Sequence, residues 1–328
     1  MGYSSEVLSR ARKRHEAAVT EHRQAQRHLQ QQAYTQHPEI RALDKELQQT
    51  MADVMAQALR RGEDPREAIA SIREKNQQLQ LQRRQLIRAA GYDPEQLDGK
   101  PLCPLCGDSG YVGERMCDCL LDYCKAEQRR ELTSLLSLDV CFDDFQLDYY
   151  SDLVNPATGL SPRAQMELIY ETCVNYASHF DPARARNLLM SGAPGLGKTF
   201  LSACIAGAVV SKGCSVVYDT AIHVFSCMEA VKFGRATEEE RQSADRLMAC
   251  DLLILDDLGT EMENSFIPSA LYSIVNSRLV SGKPTIISTN LTMERIAGRY
   301  SPPVVSRLDG EYEILSFAGQ DIRKLKKR

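Results

Sequence analysis

Apolar positions in the first ninety or so residues form thin stripes at helical spacing: Leu43, Leu47, Val54 and Leu59, then Ile69, Ile72, Leu79 and Leu86. Around them Ala, Gln, Glu, Arg and Leu predominate and glycine and proline are scarce, which predicts helix over about residues 4 to 90. Breaks are expected at His37-Pro38, because the residue before proline avoids the helical region, and at Arg61-Gly62-Glu63. A third helix should start on Asp64-Pro65-Arg66-Glu67, an N-cap followed by a proline and an acidic residue, and stop at Gly91. The stripes suit a small helical bundle, and equally a helical arm that lays one face into a partner's groove.

From Ser161 the pattern changes. A helix over about 162–179 is followed by the apolar runs NLLMS, VVYD, LLILD, PTIIST and EILSF, separated by helical stretches. Strands alternating with helices predict a parallel sheet covered on both faces, an α/β domain. Between the two regions, LTSLLSLDVCFDDFQLDYYSDLVNPATGLSPR reads as a connector with turn residues near its end.

The 328 residues, 43% of them hydrophobic, suffice for about two domains. Neither an apolar signal core near the N-terminus nor a window of about 18 apolar residues is present, so the expectation is a cytoplasmic protein with no membrane partner. The net charge of −4 averages over regions of opposite sign. Residues 1–100 lean basic, and DIRKLKKR at the C-terminus carries five cations against one anion, either a solubilising tail or a phosphate contact.

A reducing compartment changes the meaning of the cysteines. Five of the eleven fall between Lys100 and Cys124, where disulfides are disfavoured and a metal is the expected tie. Cys103-x-x-Cys106 and Cys117-x-Cys119 supply four thiolates for tetrahedral Zn²⁺ across a glycine-containing turn segment, leaving Cys124 spare. Unliganded thiols and a nucleic-acid-binding ribbon are the alternatives. No histidine lies nearby in sequence.

NLLMSGAPGLGKTFLSACIAGAVV places Gly192-x-x-x-x-Gly197-Lys198-Thr199 between a predicted strand and an apolar helix, the setting a phosphate-binding loop requires. Gly192, Gly195 and Gly197 let backbone N–H groups turn inward around an anion, beside a helix N-terminus. Lys198 is expected on the β- and γ-phosphates of ATP and the Thr199 hydroxyl on Mg²⁺. Further on, CDLLILDDLGTE reads as a buried strand delivering two acids: Asp256 on the Mg²⁺ side, Asp257 placed to orient or deprotonate the attacking water. Asn290 ends the next predicted strand, where its amide either senses the γ-phosphate or makes a turn. Arg299 and Arg307 flank a proline break, as surface charges or as an arginine finger reaching a neighbouring subunit, a device worth about 10³ to 10⁵ in rate.

GAPGLGKT after a strand, then LLILDDLGTE, STN and VVSRL, in that order, resemble the AAA+ ATPases of the DnaC/DnaI helicase-loader group and their transposition relative IstB, over about residues 140–328. The resemblance implies Walker A at Lys198 and Thr199, Walker B at Asp256 and Asp257, sensor 1 at Asn290 and the finger at Arg307, with Arg323 a loose match to a sensor-2 arginine. FDDFQLDYY resembles the segment leading into the family's first helix. It further implies an AAA+ P-loop NTPase domain at 161–328 without a helical lid, preceded by a helical partner-binding arm (1–99), a zinc-binding module (100–130) and a linker (131–160).

Function follows as an expectation: an oligomerising ATPase that binds ATP, Mg²⁺ and Zn²⁺, contacts single-stranded DNA and a hexameric replicative helicase, and loads that helicase in DNA replication. An IstB-like transposition helper and a metal-stabilised adaptor that binds ATP without turning it over are the alternatives. Lys232, Phe233 and Arg235 are candidates for DNA contact, or else a charged loop between helices.

Overall fold

The computed structural model describes residues 3–58, 66–136, 140–156 and 159–325. Two compact units emerge, one of Arg12–Leu120 and the other of Met1–Ala11 with Leu121–Arg328.

In the first unit the predicted break at His37 is where α1 (Ser5–Gln36) gives way to α2 (Pro38–Ala58). The expected second break at 61–63, the start at 64–65 and Leu59 lie outside the described residues. Helix α3 (Arg66–Ala89) ends ahead of Gly91, whose φ of +84° suits glycine, and α4 (Pro94–Leu97) starts on the Asp93 cap. Ala33, Ile40, Ile87 and Leu97 form a small buried cluster with Tyr34 and Tyr92 packed against it. Polar ties supplement it: Asp44 accepts from Tyr34 at 2.5 Å and from Arg83, and Asn76 donates to Thr50 at 2.9 Å. The hairpin of β1 (Tyr111–Val112) and β2 (Arg115–Met116) follows, then α5 (Asp118–Leu136), which runs across the boundary expected at residue 130.

The second unit is the expected α/β domain. After α6 (Pro162–Ser178) come β3 (Asn187–Ser191), α7 (Lys198–Ser211), β4 (Val216–Thr220), α8 (Ala221–Lys232), α9 (Glu238–Ala249) and β5 (Leu252–Leu258). Then follow α10 (Ile267–Val280), β6 (Thr285–Thr289), α11 (Met293–Arg299), α12 (Pro302–Glu311), β7 (Tyr312–Ser316) and the short α13 (Ile322–Leu325). All five long strands are parallel, in the order β4-β5-β6-β3-β7. Alternate strand residues feed two cores. Leu188, Met190, Leu252, Ile254 and Ile286 face α6 and α7, while Leu189, Leu253, Leu255 and Ile287 face α8, α10 and α12. Burial on both faces is why these strands read as continuous apolar runs.

The order positions the site. In the sheet β6 lies between β5 and β3. Asn290, just past β6, therefore stands between the phosphate loop after β3 and the acids of β5. Two single 3₁₀ turns, Phe142–Asp144 and Leu147–Tyr149, lay aromatic rings on the domain, and Tyr150 is 1% exposed with its hydroxyl donating to Leu196 O at 2.9 Å. Four aromatic side chains in nine residues give the segment apolar area that a free linker would have to leave in water. No helix among the described residues is long and apolar enough to cross a membrane.

Candidate functional site

The loop from Gly192 to Gly197 leaves β3 and enters α7 by way of glycine geometry. Gly197 is the residue before the helix with φ +94°, and Gly195 has φ +78° with Asp321 so close that a Cβ would lie 1.9 Å from its Oδ1. Ile322 N–H donates to Gly195 O at 3.0 Å, so the C-terminal segment is hydrogen-bonded to the loop itself.

Lys198 is 4% exposed and its ammonium donates to Gly192 O (2.7 Å), Ala193 O (2.8 Å) and Asn290 Oδ1 (2.8 Å). Burial pulls its pKa down, while Asp257 and Asp256 pull it up. Thr199 Oγ1 lies 3.4 Å from Asp256 Oδ1. Asp256 is 4% exposed and also accepts from Tyr218 OH (2.8 Å) and from Ser288 Oγ. Burial raises the Asp257 pKa, with Asp256 adding to the rise and Lys198, Arg323 and Asn290 opposing it.

These groups surround one cavity of about 290 Å³. Gly195, Gly197, Lys198, Thr199, Asp257 and Asn290 line it, with Asp256 and Gly192 behind. The rest of the lining, Arg323 apart, was not anticipated: Asp144, Phe145, Gln146 and Tyr149 from the connector, Phe200 from α7, and Ile322 and Arg323 from the C-terminal segment. Phe145 stacks on Tyr170 at 5.4 Å and sits 5.8 Å from Phe200. The available signal was the aromatic density of FDDFQLDYY. Arg323, a loose match in sequence, reaches the cavity.

The two other arginines part company. Arg299 is committed to Glu261, which accepts its guanidinium and the Tyr300 hydroxyl, and lies 3.2 Å from Glu263. Arg307, on α12, donates to Asn276 Oδ1 at 3.1 Å and is not among the residues lining the cavity of its own chain. At the end of α8, Phe233 is 53% exposed and 6.4 Å from Phe266, a ring absent from the sequence expectation. Lys232 Nζ lies 4.8 Å from the Phe266 centroid and the Arg235 guanidinium 5.4 Å from Phe233.

In the first unit the four expected thiols converge. The sulfurs of Cys103, Cys106, Cys117 and Cys119 lie within 4.8 Å of one another, with Cys103–Cys117 at 3.7 Å and Cys106–Cys119 at 3.5 Å. Tetrahedral Zn²⁺ with bonds of about 2.3 Å sets its sulfurs about 3.8 Å apart, so the donor set and spacing fit that ion. Cys124 is buried on α5 outside the cluster. Against the raising effect of burial, the Gly110 N–H and the neighbouring thiols bring Cys106 down to about 7. Burial and the other thiols push Cys119 up.

A stripe of α1 holds this knuckle. Arg12 donates to Tyr111 OH (2.7 Å), Gln26 donates to Lys100 O (2.8 Å), Arg23 approaches Asp108 (3.6 Å), and His15 Nε2 sits 3.5 Å from Cys119 Sγ. The histidine missing from the local sequence arrives from 104 residues away.

Residues 174–326 match the model of the family described as IstB-like ATP binding protein. The replicative helicase loader DnaC of Escherichia coli (strain K12) is 31% identical over 133 residues, 40% of this chain and 54% of that protein. DnaC of Buchnera aphidicola subsp. Schizaphis graminum is 25% identical over 43% of this chain and 56% of its own length. The chain thus spans about half the length of these relatives. Among solved structures, the DnaC helicase loader superposes with a TM-score of 0.43 at 23% identity, over 54% of this chain and 98% of that one. For DnaI the values are 0.45 and 18%, over 59% and 98%. Residues 174–326 are thus similar to the ATP-binding domain of IstB-like proteins.

Proposed function

We propose that this chain is an ATP-hydrolysing loader of a hexameric replicative helicase. The observation that carries the reading is the convergence of Lys198, Thr199, Asp257 and Asn290 on one cavity with Asp256 immediately behind. DnaC relatives named as replicative helicase loaders supply the partner class.

In this reading Lys198 and the loop N–H groups hold the triphosphate of ATP, and Arg323 adds a cation from the C-terminal segment. The oxygens of Thr199 and Asp256 suit Mg²⁺, which when bound offsets phosphate charge. Asp257 orients or deprotonates water with a carboxylate less acidic than an exposed one, and Asn290 spans the distance between that water and Lys198. Arg307, which is not among the lining residues of its own cavity, completes a neighbour's site, so ATP would drive assembly of copies around single-stranded DNA. Phe233 and Phe266 offer stacking faces to that strand, with Lys232 and Arg235 for its phosphates. We assign helicase contact to the arm (1–99), Zn²⁺ to Cys103, Cys106, Cys117 and Cys119, and a cytoplasmic setting to the whole.

ATP turnover with and without single-stranded DNA tests this. Turnover that Asp257→Asn abolishes supports the loader, and none in any condition favours an adaptor that binds ATP without spending it. Arg307→Ala should bind nucleotide yet lose turnover, and regain some when mixed with Lys198→Ala protein; failure of both removes the neighbour's role. The IstB-like family match favours a second reading, a transposition helper acting on duplex DNA. Capture of a hexameric helicase by the full chain separates the two.

A further inference from the structure

Two adjacent acids on a strand point to opposite faces of its sheet, so a DD pair cannot ordinarily serve one site. Here the pairing of β5 with β6 resolves the conflict. Leu255 stands opposite Ile287 and Leu258 opposite Thr289, which leaves Asp256 and Asp257 together facing the single residue Ser288. That two-against-one arrangement is a bulge, and Asp257 takes φ +56°, a left-handed conformation unusual for a residue other than glycine.

Ser288 is 0% exposed and touches both acids. Its hydroxyl donates to Asp256 Oδ1 and accepts the backbone N–H of Asp257 at 2.9 Å. On the other side, Tyr218 of β4 donates to Asp256 Oδ2 at 2.8 Å and lies 2.9 Å from Ser202 Oγ of α7. Burial foremost, with Asp256 beside it, keeps the Tyr218 phenol protonated and hence a donor. Both oxygens of the rear acid are thus fixed by hydroxyls from neighbouring strands, and the backbone of the front acid is fixed by one of those hydroxyls.

We propose that Ser288 and Tyr218 are positioning residues for the nucleotide site: Ser288 clamps the bulge that turns Asp257 into the cavity while Asp256 stays behind it, and Tyr218 locks the second oxygen of Asp256. The proposal rests on the ATP reading above and deepens it. Tyr218 belongs to no motif and Ser288 enters only as the first residue of STN, with no role of its own; a serine and a tyrosine inside apolar strands would otherwise be read as core polar groups satisfied by chance neighbours.

Ser288→Ala, Ser288→Thr and Tyr218→Phe in the full chain test it, through turnover, thermal stability, and affinity for a fluorescent ATP analogue with and without Mg²⁺. Ser288→Ala is expected to lower kcat about 10²-fold by misplacing Asp257. Tyr218→Phe, which leaves the bulge intact, should lower it about tenfold. Affinity without Mg²⁺ stays within about twofold in both, while the gain in affinity that Mg²⁺ confers shrinks, and Ser288→Thr, which keeps the hydroxyl, recovers most of the loss. Kcat and Mg²⁺ gain both unchanged in Ser288→Ala and Tyr218→Phe would overturn the proposal, as would an equal loss of affinity with and without Mg²⁺, the mark of general damage. Should Ser288→Ala fail to fold, Tyr218→Phe decides alone. Wild type that binds the analogue without turnover counts against hydrolysis only, and the Mg²⁺ gain still judges the clamp; wild type that binds no nucleotide overturns both.

Discussion

The nucleotide cavity and the cysteine knuckle both gather polar groups from distant stretches of chain, yet by opposite means. The cavity is set by a parallel sheet buried on both faces, so its lysine, acids and amide are held by backbone and hydroxyl groups of an existing core. The knuckle has a two-strand hairpin of two residues each and four converging sulfurs. One site is preformed by packing; the other has four sulfurs at a spacing that suits an ion. Groups of the first should therefore be removable one at a time without loss of the fold, whereas the second should go as a whole.

Chelation is the largest break in that comparison. Structural Zn²⁺ contributes about 10 to 16 kcal/mol in small modules, more than a knuckle of this size gains from burial. Removing zinc with a strong chelator should abolish hydrogen-exchange protection across Cys103–Cys119, while ATP affinity of the α/β domain changes by less than about twofold. Protection that survives with zinc gone would place the knuckle on the packed side of the comparison.

Asp257→Asn comes next, and it separates function from stability within the cavity. Turnover should fall about 10²- to 10⁴-fold if Asp257 handles the water proton. Stability should move the other way. The folded pKa of Asp257 is raised, so ionisation is less favourable folded than unfolded; that penalty is absent below the ordinary carboxylate range and complete above the raised value. The variant should therefore unfold at a higher temperature near neutral pH, by under about 1 kcal/mol because the group is partly solvated, and the gain should vanish on acidification. A lower melting temperature at neutral pH would show that the carboxylate holds the loop rather than being held by it.

Gly195→Ala is smaller. A Cβ there meets Asp321 Oδ1 at 1.9 Å on a backbone of φ +78°, a strain of about 1 to 3 kcal/mol. Adding Asp321→Ala should relieve the collision and recover part of the loss, leaving the backbone share. Chemical denaturation of the single and double variants measures both, and full recovery would show that φ carries no cost.

How much of this was legible follows from the same contrast. The phosphate loop and the acids are contiguous, and their spacing is fixed by the ligand chemistry they resemble, so Gly192 through Thr199 and Asp256-Asp257 could be picked out as strings. The alternation of apolar runs with helices likewise gave away the parallel sheet. Strand order is written in no single stretch, which is why no role was read for Tyr218 or for the serine of STN: each becomes a neighbour of Asp256 only once β4 and β6 flank β5. The rings of FDDFQLDYY could be read but not the surface they lie on, and α5 runs past residue 130 because nothing in that stretch stops a helix.

His15 makes the finest cut. If the metal alone organises the knuckle, the α1 stripe is a passenger. If N–H groups aimed at sulfur also matter, losing the His15 contact should loosen Cys119 first, since Nε2 lies 3.5 Å from its Sγ. One hydrogen bond to a thiolate is worth about 0.5 to 1.5 kcal/mol, so His15→Ala should release zinc to a colorimetric chelator about 2- to 10-fold faster with the stoichiometry of the loaded protein unchanged. His15→Gln, whose amide N–H can reach the same sulfur, should release it at an intermediate rate. Equal rates in all three proteins would make the histidine a packing residue. Loss of zinc stoichiometry in His15→Ala would mean that the ion is held by more than the four cysteines.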